Sequence, residues 1–196
     1  MTILLQAVYE RESMTKSGTL LTAEEFWAMP KDDKRYELID GEVREMPPTS
    51  GMHGQIELNM GAMLRSYARA HQLGVVMVGE TGFIVKRNPD RVRGADVAFV
   101  RQDRIPATGV PESFWDIPPD LAVEVLSASD TVRDVVQKVD DWLAAGTPMV
   151  WVLNAWHRTV TIYRFGQPPL IRGEADTLEG DPILHGFRCL VRELFE

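Results

Sequence analysis

Two carboxylates and one lysine carry the chemistry that this sequence offers. Glu124 interrupts "PPDLAVEVLSASD", where Leu121, Ala122, Val123, Val125 and Leu126 form the near-continuous apolar run of a strand buried on both faces. A carboxylate in such a run is costly unless something pairs with it or coordinates to it. Asp96 heads a second apolar segment, "ADVAFV". Neighbouring strands lie about 4.8 Å apart, so carboxylates at one height on one face can share a divalent cation. Hard ions such as Mg²⁺, or Mn²⁺ in its place, take oxygen ligands together with water and substrate phosphate. The alternative is a Glu124 paired with an arginine, or one near a strand end and partly wet.

Lys138 lies on a helical segment after Glu124, about 100° from the centre of its apolar stripe and beside Trp142. From the edge of a buried face its stem can lie along the sheet while its ammonium reaches past it. An ammonium near two carboxylates can orient a nucleophilic water or neutralise charge on a phosphorane. It can equally be a surface lysine paired with Asp134 or Asp141 at helical spacing.

The elements that must hold these groups are legible in outline. "TAEEFWAMP" predicts a short helix, with Thr22 and Glu25 as a capping box and Pro30 as its stop. "RYELIDGEVREM" predicts a hairpin turning on Asp40-Gly41. After the "PPTSG" loop, Ile56, Met60, Met63, Leu64, Tyr67 and His71 keep helical spacing up to Gly74. "VVMVGETGFIVK" reads as one or two strands, "NPDRVRG" as a turn and "ADVAFVR" as a strand. A loop from Ile105 to Pro119 then leads to the Glu124 strand. A helix from about Asp130 to Ala145 follows, its stripe made of Val132, Val135, Val136, Val139, Trp142 and Leu143. "MVWVLN", "RTVTIYRF" and a strand or two near the end complete a mixed sheet with helices packed on it, in an α/β or α+β domain. The helix between the strands at 120–126 and 149–154 implies a parallel crossover. Trp115, Trp151 and Trp156 read as core or interface aromatics.

With 196 residues, 44% hydrophobic and 26% charged, the chain is long and apolar enough for one well-packed domain. Residues 1–18 lack periodicity and read as a loose, flexible tail ahead of a single domain over 19–196. One cysteine, Cys189, fits a reducing compartment. The apolar patch in "MTILLQAVYERE" is too short for a signal peptide, and no run is long enough to span a membrane, so a cytoplasmic protein is expected. A net charge of −8 argues against a protein that coats phosphates over its whole surface. Any nucleic-acid surface must be local. Lys86, Arg87, Arg91, Arg93, Arg101 and Arg104 form one basic stretch, readable simply as solvated arginines around a turn.

The order "GADVAFV … PPDLAVEVLSASD … K … WLAAGTPMVWVLN … RTVTIYR" closely resembles the Uma family, designated "putative restriction endonucleases", within the PD-(D/E)xK nuclease superfamily. "LLTAEEFWAMP", "YELIDGEVREMPPTSGMHGQI" and "DTLEGDPILHGFRCLVRELF" fit it as well, so the resemblance covers about residues 20 to 196. It implies a restriction-endonuclease-like mixed β-sheet flanked by helices, with an N-terminal β-hairpin and C-terminal strand additions. It also implies a metal-dependent endonuclease acting on DNA. Asp96 and Glu124 would hold Mg²⁺, joined by the Val125 carbonyl, and Lys138 would assist catalysis. The arginines near Asp96 and half of the Ile105–Pro119 loop would lie at the mouth of the cleft. A homodimer is the common assembly of that fold.

The sequence departs from the superfamily pattern at Ala95, where the proline of "PD" would stand. It departs again at Leu126, which holds the lysine position of ExK, so Lys138 must project back from the helix. Glu37 and His53 also match recurring family positions. Glu37 is a further metal-shell carboxylate or an ordinary hairpin residue. His53 contacts phosphate or simply starts the helix. The rival function is a catalytically silent module that binds nucleic acid or a protein partner. A third is hydrolysis of some other phosphate ester.

Overall fold

The computed structural model describes residues 20–196 except Ala128, so the expected tail over 1–18 lies outside the described residues. Its centre is β4 (Arg91–Arg101), buried along its whole length but for the last residue. One edge of β4 pairs with β3 (Gly74–Lys86) from Lys86↔Arg91 to Gly74↔Arg101. The other edge changes partner along its length. Val92 meets Leu38 of β1 (Arg35–Ile39), whereas Val97, Ala98 and Phe99 meet Val123, Ala122 and Leu121 of β5 (Leu121–Val125). Asp96 therefore stands in the fork between two strands.

Beyond the fork, β1 continues into the hairpin partner β2 (Glu42–Met46). Asp40 and Gly41 occupy its turn with φ of 51° and 82°, the double positive φ that a two-residue primed turn demands. On the other side β5 pairs in parallel with β6 (Met149–Asn154), then antiparallel β7 (Thr159–Arg164) and β8 (Leu170–Arg172) follow. Strands β9 (Thr177–Glu179) and β10 (Arg188–Leu190) form a separate small ladder. The sheet is mixed and mostly antiparallel, with the hairpin before it and strand additions after it, as expected.

Three α-helices among the described residues cover it. Helix α1 (Ala23–Ala28) carries the anticipated Thr22–Glu25 capping box and buries Ala23 and Phe26 against Leu38 and Val92. Helix α2 (Gly51–Ala70) starts on Ser50, whose hydroxyl accepts from His53 N at 3.2 Å. It ends at His71 rather than at Gly74, which already opens β3. Its buried residues Ile56, Met60, Leu64 and Ala68 share a core with Val97, Phe99, Leu121, Val123 and Trp151. Helix α3 (Val132–Ala145) is capped by Thr131 and Asp134 and closed by Gly146 at φ 100°. Val139 and Trp142 pack with Ala95, Ala98, Ala122 and Val150.

Three sequence-based expectations need correction. The apolar stripe of α3 is rotated: Val132 is 83% and Val136 50% exposed, while Asp141 is buried. "NPDRVRG" is only partly a turn, because Arg91 to Gly94 belong to β4. The Ile105–Pro119 loop lines no part of the cleft that Glu80 and Lys138 face. It buries Trp115, which stacks on Phe83. Trp151 is core as expected, and Trp156 is 57% exposed. No helix among the described residues is long and apolar enough to cross a membrane.

Candidate active site

The fork in the sheet creates the site. Carrying the β4–β5 register one step past Val97↔Val123 sets Asp96 against Glu124. At the same height β3 is irregular, its pairing jumping from Val78↔Val97 to Thr81↔Ala95. Gly79 and Glu80 fill that bulge with φ of 79° and 62°. Alternation in β4 slips here too: Ala95 packs with α3 and Val97 with α2, although residues two apart on a regular strand share a face. A fork leaves backbone groups without ladder partners, and side chains must serve them. The Val125 N–H donates to Asp96 Oδ2 at 2.6 Å, and the Gly94 N–H to Glu37 Oε1 at 3.2 Å.

Glu124 is 3% exposed and answered on both oxygens. Trp142 Nε1 donates to Oε1 at 2.8 Å, and Lys138 Nζ lies 3.0 Å from Oε2. The helical phase that turned Val132 outward is the one that aims Lys138 and Trp142 at this strand. Lys138 thus projects back to the carboxylate instead of pairing with Asp134 or Asp141. The Glu124 carboxylate holds its ammonium above the usual lysine range, against the effect of burial.

Asp96, also 3% exposed, has no lysine or arginine in salt-bridge contact among the described residues. Burial first, then the negative charge of Glu124 and Glu80, holds its carboxyl well above the ordinary aspartate range. Burial also raises Glu80, with Glu124 adding and Arg35, its ion-pair partner, opposing. His53 Nε2 comes within 3.2 Å of Asp96 Oδ1 but is not aligned as a hydrogen bond, and neither ring nitrogen has a hydrogen-bond partner among the described residues. Burial first, then Arg35, lowers its pKa, which favours the neutral imidazole. His53, Glu57 and Asp96 each present a donor atom, all within 4.8 Å of one another.

A cleft of about 620 Å³ opens beside these groups, between the hairpin, the 47–49 loop, the 127–130 turn and the first half of α3. Glu80 and Lys138 face it, and with them Arg35, Arg44, Arg91, Arg93 and Arg133. Arg91 and Arg93 are not the solvated arginines that their surroundings in sequence imply. Both are under 10% exposed and bound into an acidic frame. Arg93 contacts Glu37 Oε2 and Asp141 Oδ2, each at 2.6 Å, and Arg91 joins Asp141 and Asp40. Gln137 adds a bond to Asp141 at 3.1 Å. Glu37 is therefore engaged with Arg93 and Gly94 rather than free to hold an ion. Arg44 and Arg133 are exposed and make no ion pair with any described residue.

The structure brings Asp96, Glu124, Lys138, His53 and the Val125 backbone together. From the sequence, Glu80 and Glu57 have no assigned role, Trp142 is only a core residue and Asp141 only a surface partner for Lys138. Signals for Glu80 and Glu57 exist: a glycine before Glu80 inside a strand pattern marks a bulge, and Glu57 stands four residues after His53 on one helix face. A divalent cation fits the donors present, since Asp96 is a buried carboxylate crowded by further negative charge and His53 an unsatisfied imidazole.

Comparison with known proteins adds an independent line. The model of a family named Uma2, described as "Putative restriction endonuclease", matches residues 23–192. A crystal structure of "a putative nuclease belonging to DUF820" from Anabaena variabilis ATCC 29413 superposes with a TM-score of 0.79 at 21% identity. The match covers 89% of this chain and 97% of that one. At that identity the likeness speaks to the fold. No curated protein matches the sequence.

Proposed function

The chain belongs to the Uma2 family of putative restriction endonucleases, and from that membership we propose that it is a metal-dependent endonuclease cutting DNA phosphodiesters in the cleft beside Glu124. The observation that carries this reading is the convergence of Asp96, Glu124 and Lys138 at the fork of the sheet. Asp96 and Glu124, with the Val125 carbonyl, would hold Mg²⁺ or Mn²⁺. When bound, such an ion acts as a Lewis acid and acidifies its water.

The remaining roles belong to the chain itself. Lys138, its pKa raised by Glu124, stays protonated through the working range. It therefore serves as a fixed cation and hydrogen-bond donor to the attacking water or to a non-bridging phosphate oxygen, not as a general base. Arg44 and Arg133 stand exposed on the cleft walls, suited to neighbouring backbone phosphates. Arg44 and Arg133 on the cleft walls give a chain of net charge −8 a local positive surface.

A second reading has its own observation. Both oxygens of Glu124 are already satisfied by protein groups, as they would be in a silent module that binds nucleic acid or a protein partner. One assay separates the two: purified protein with plasmid and single-stranded DNA, with Mg²⁺ or Mn²⁺, beside Glu124→Gln. Cleavage abolished by the substitution supports the nuclease. Cleavage that survives it removes this site, and DNA retention without cutting in either metal supports the silent module.

A further inference from the structure

We propose that the free edge of β3 over residues 74–78 is a docking site for an extended acidic segment of a partner protein, added to the sheet as a further strand. The site uses no residue of the cleft and stands whether or not the protein cuts DNA.

Topology leaves the edge open. Among the described residues β3 has one strand neighbour, β4. The far part of its other edge is covered by the loop that carries Trp115. There the Ile84 N–H donates to the Trp115 carbonyl at 2.9 Å, and the Trp115 N–H to the Gly82 carbonyl at 3.0 Å. Before the bulge at Gly79 and Glu80 that cover is missing: Val75, Val76 and Met77 have no backbone partner outside β4 among the described residues. Five residues of strand, roughly 17 Å, thus present unpaired N–H and C=O groups. Edges are ordinarily blunted by lysine, proline or brevity. The run "GVVMV" has neither residue, and β3 is 13 residues long.

A groove of about 680 Å³ opens beside this edge, lined by residues 74–77, by Arg65 and Arg69 of α2 and by Val110. Val78 and Val110 are half exposed. The two arginines are the only charged residues of the lining. Both are exposed, and neither makes an ion pair with any described residue. The complementary occupant is therefore acidic. The same charges disfavour a second copy of this chain. Two β3 edges pair antiparallel about a two-fold axis normal to the sheet, which keeps α2 and its copy on one face and sets arginine-lined groove against arginine-lined groove.

Alternation in β3 specifies the pattern that is recognised. Val76 packs into the core on the α2 side of the sheet, Val75 and Met77 into the core on the α3 side. An added strand sets every second side chain beside Val76, towards Arg65 and Arg69, and the others in line with Val75 and Met77. Carboxylates suit the first set and β-branched side chains the second. Ladder hydrogen bonds would supply affinity, and the arginines the choice of partner.

Fluorescence anisotropy of the full chain with the labelled peptide Ser-Glu-Val-Glu-Val-Glu-Ser tests this. Its companions are the peptide with lysine for every glutamate, and two forms N-methylated either at the glutamate or at the valine nitrogens. The glutamate peptide is expected to bind at least about tenfold tighter than the lysine peptide, and Arg65→Glu/Arg69→Glu to reverse that preference. One of the two methylated forms should lose about tenfold or more, because its methyl groups replace the N–H groups that face β3. Equal binding of the glutamate and lysine peptides, no binding of the former, or full binding of both methylated forms overturns the proposal. Oligothymidylate held through Arg65 and Arg69, with no peptide binding, makes the groove a nucleic-acid surface and also overturns it. A chain that sediments as a dimer, and as a monomer after Val78→Lys, gives the edge to a second copy with the same consequence.

Discussion

Lys138 Nζ rests 3.0 Å from Oε2 of Glu124, across a separation of 14 residues that spans a strand end, a turn and the first half of α3. The lysine is thereby delivered to the carboxylate from a helix instead of from the strand itself. With Glu124 side chain 4% and Lys138 17% exposed, each is the other's main electrostatic compensation.

Removing that cation leaves a buried carboxylate. Lys138→Met is expected to lose about 3 kcal/mol in urea denaturation, the low end for breaking a buried pair because the ammonium borders an open cleft. The double variant Glu124→Gln/Lys138→Met should recover most of the loss. An additive double variant would show that the pair is not coupled. On the nuclease reading, Lys138→Met also lowers cleavage by about a hundredfold. Because the folded-state pKa of Lys138 is raised, its stabilisation is whole below the unfolded lysine value and fades only as pH rises through the folded one. Stability should thus show no loss from this pair between neutrality and pH 9.

Trp142 donates its indole N–H to Glu124 Oε1 while its ring meets Phe83 edge-on at 5.8 Å. Trp142→Phe keeps most of the packing and deletes the donor. A hydrogen bond to a charged group is worth about 1.5–3 kcal/mol, and a fall of that size in unfolding free energy is expected. A fall under half a kcal/mol would mean the carboxylate does not depend on the indole.

Asp96 gives a pH signature of the opposite kind from an ordinary aspartate. Its folded-state pKa is raised, so the native state binds the proton more tightly than the unfolded chain. The associated stability is whole below the unfolded aspartate pKa and is lost as pH rises through the folded value. Asp96→Asn, which keeps an acceptor for the Val125 N–H, should stabilise the metal-free protein at pH 8, and the gain should vanish towards pH 4. The advantage grows by about 1.4 kcal/mol for each pH unit between the two pKa values. Thermal melts in chelator at both pH values read it directly, and equal melting at pH 8 would count against the crowded-carboxylate picture.

The arginines of the cleft should divide into two classes. Asp141→Ala strips Arg91 and Arg93 of their shared acid and is expected to cost about 3–5 kcal/mol. Arg44→Ala and Arg133→Ala are exposed changes expected to move stability by less than about 0.5 kcal/mol. On the nuclease reading, each instead lowers the salt dependence of DNA binding by about one unit of log–log slope. Measuring binding over a range of salt distinguishes the classes.

The pattern of legibility follows from the range of each interaction. Glu124 is conspicuous because a lone charge breaks an apolar run. The hairpin is equally plain, since Asp40-Gly41 specifies its own turn. Lys138 is reachable through helical phase, although taking Val132 and Val136 as core residues misplaced the buried face and concealed Asp141. The frame of Arg91 and Arg93 could not be read at all. Arg93 meets Glu37 across 56 residues and Asp141 across 48, and nothing local distinguishes such arginines from those of a solvated turn. Glu80 depends on a bulge whose position is set by register with β4, so its glycine hints at irregularity without saying what the irregularity aims at.

The fork at β4 also bears on mechanical compliance. The hairpin that walls the cleft is laddered to β4 through the single pair Leu38↔Val92, while Arg91 and Arg93 of β4 pair with its Asp40 and Glu37 on one side and with Asp141 of α3 on the other. Spreading the walls therefore strains ion pairs before it strains ladder hydrogen bonds. The stiffness of the cleft is electrostatic, and buried pairs of this kind are little softened by salt.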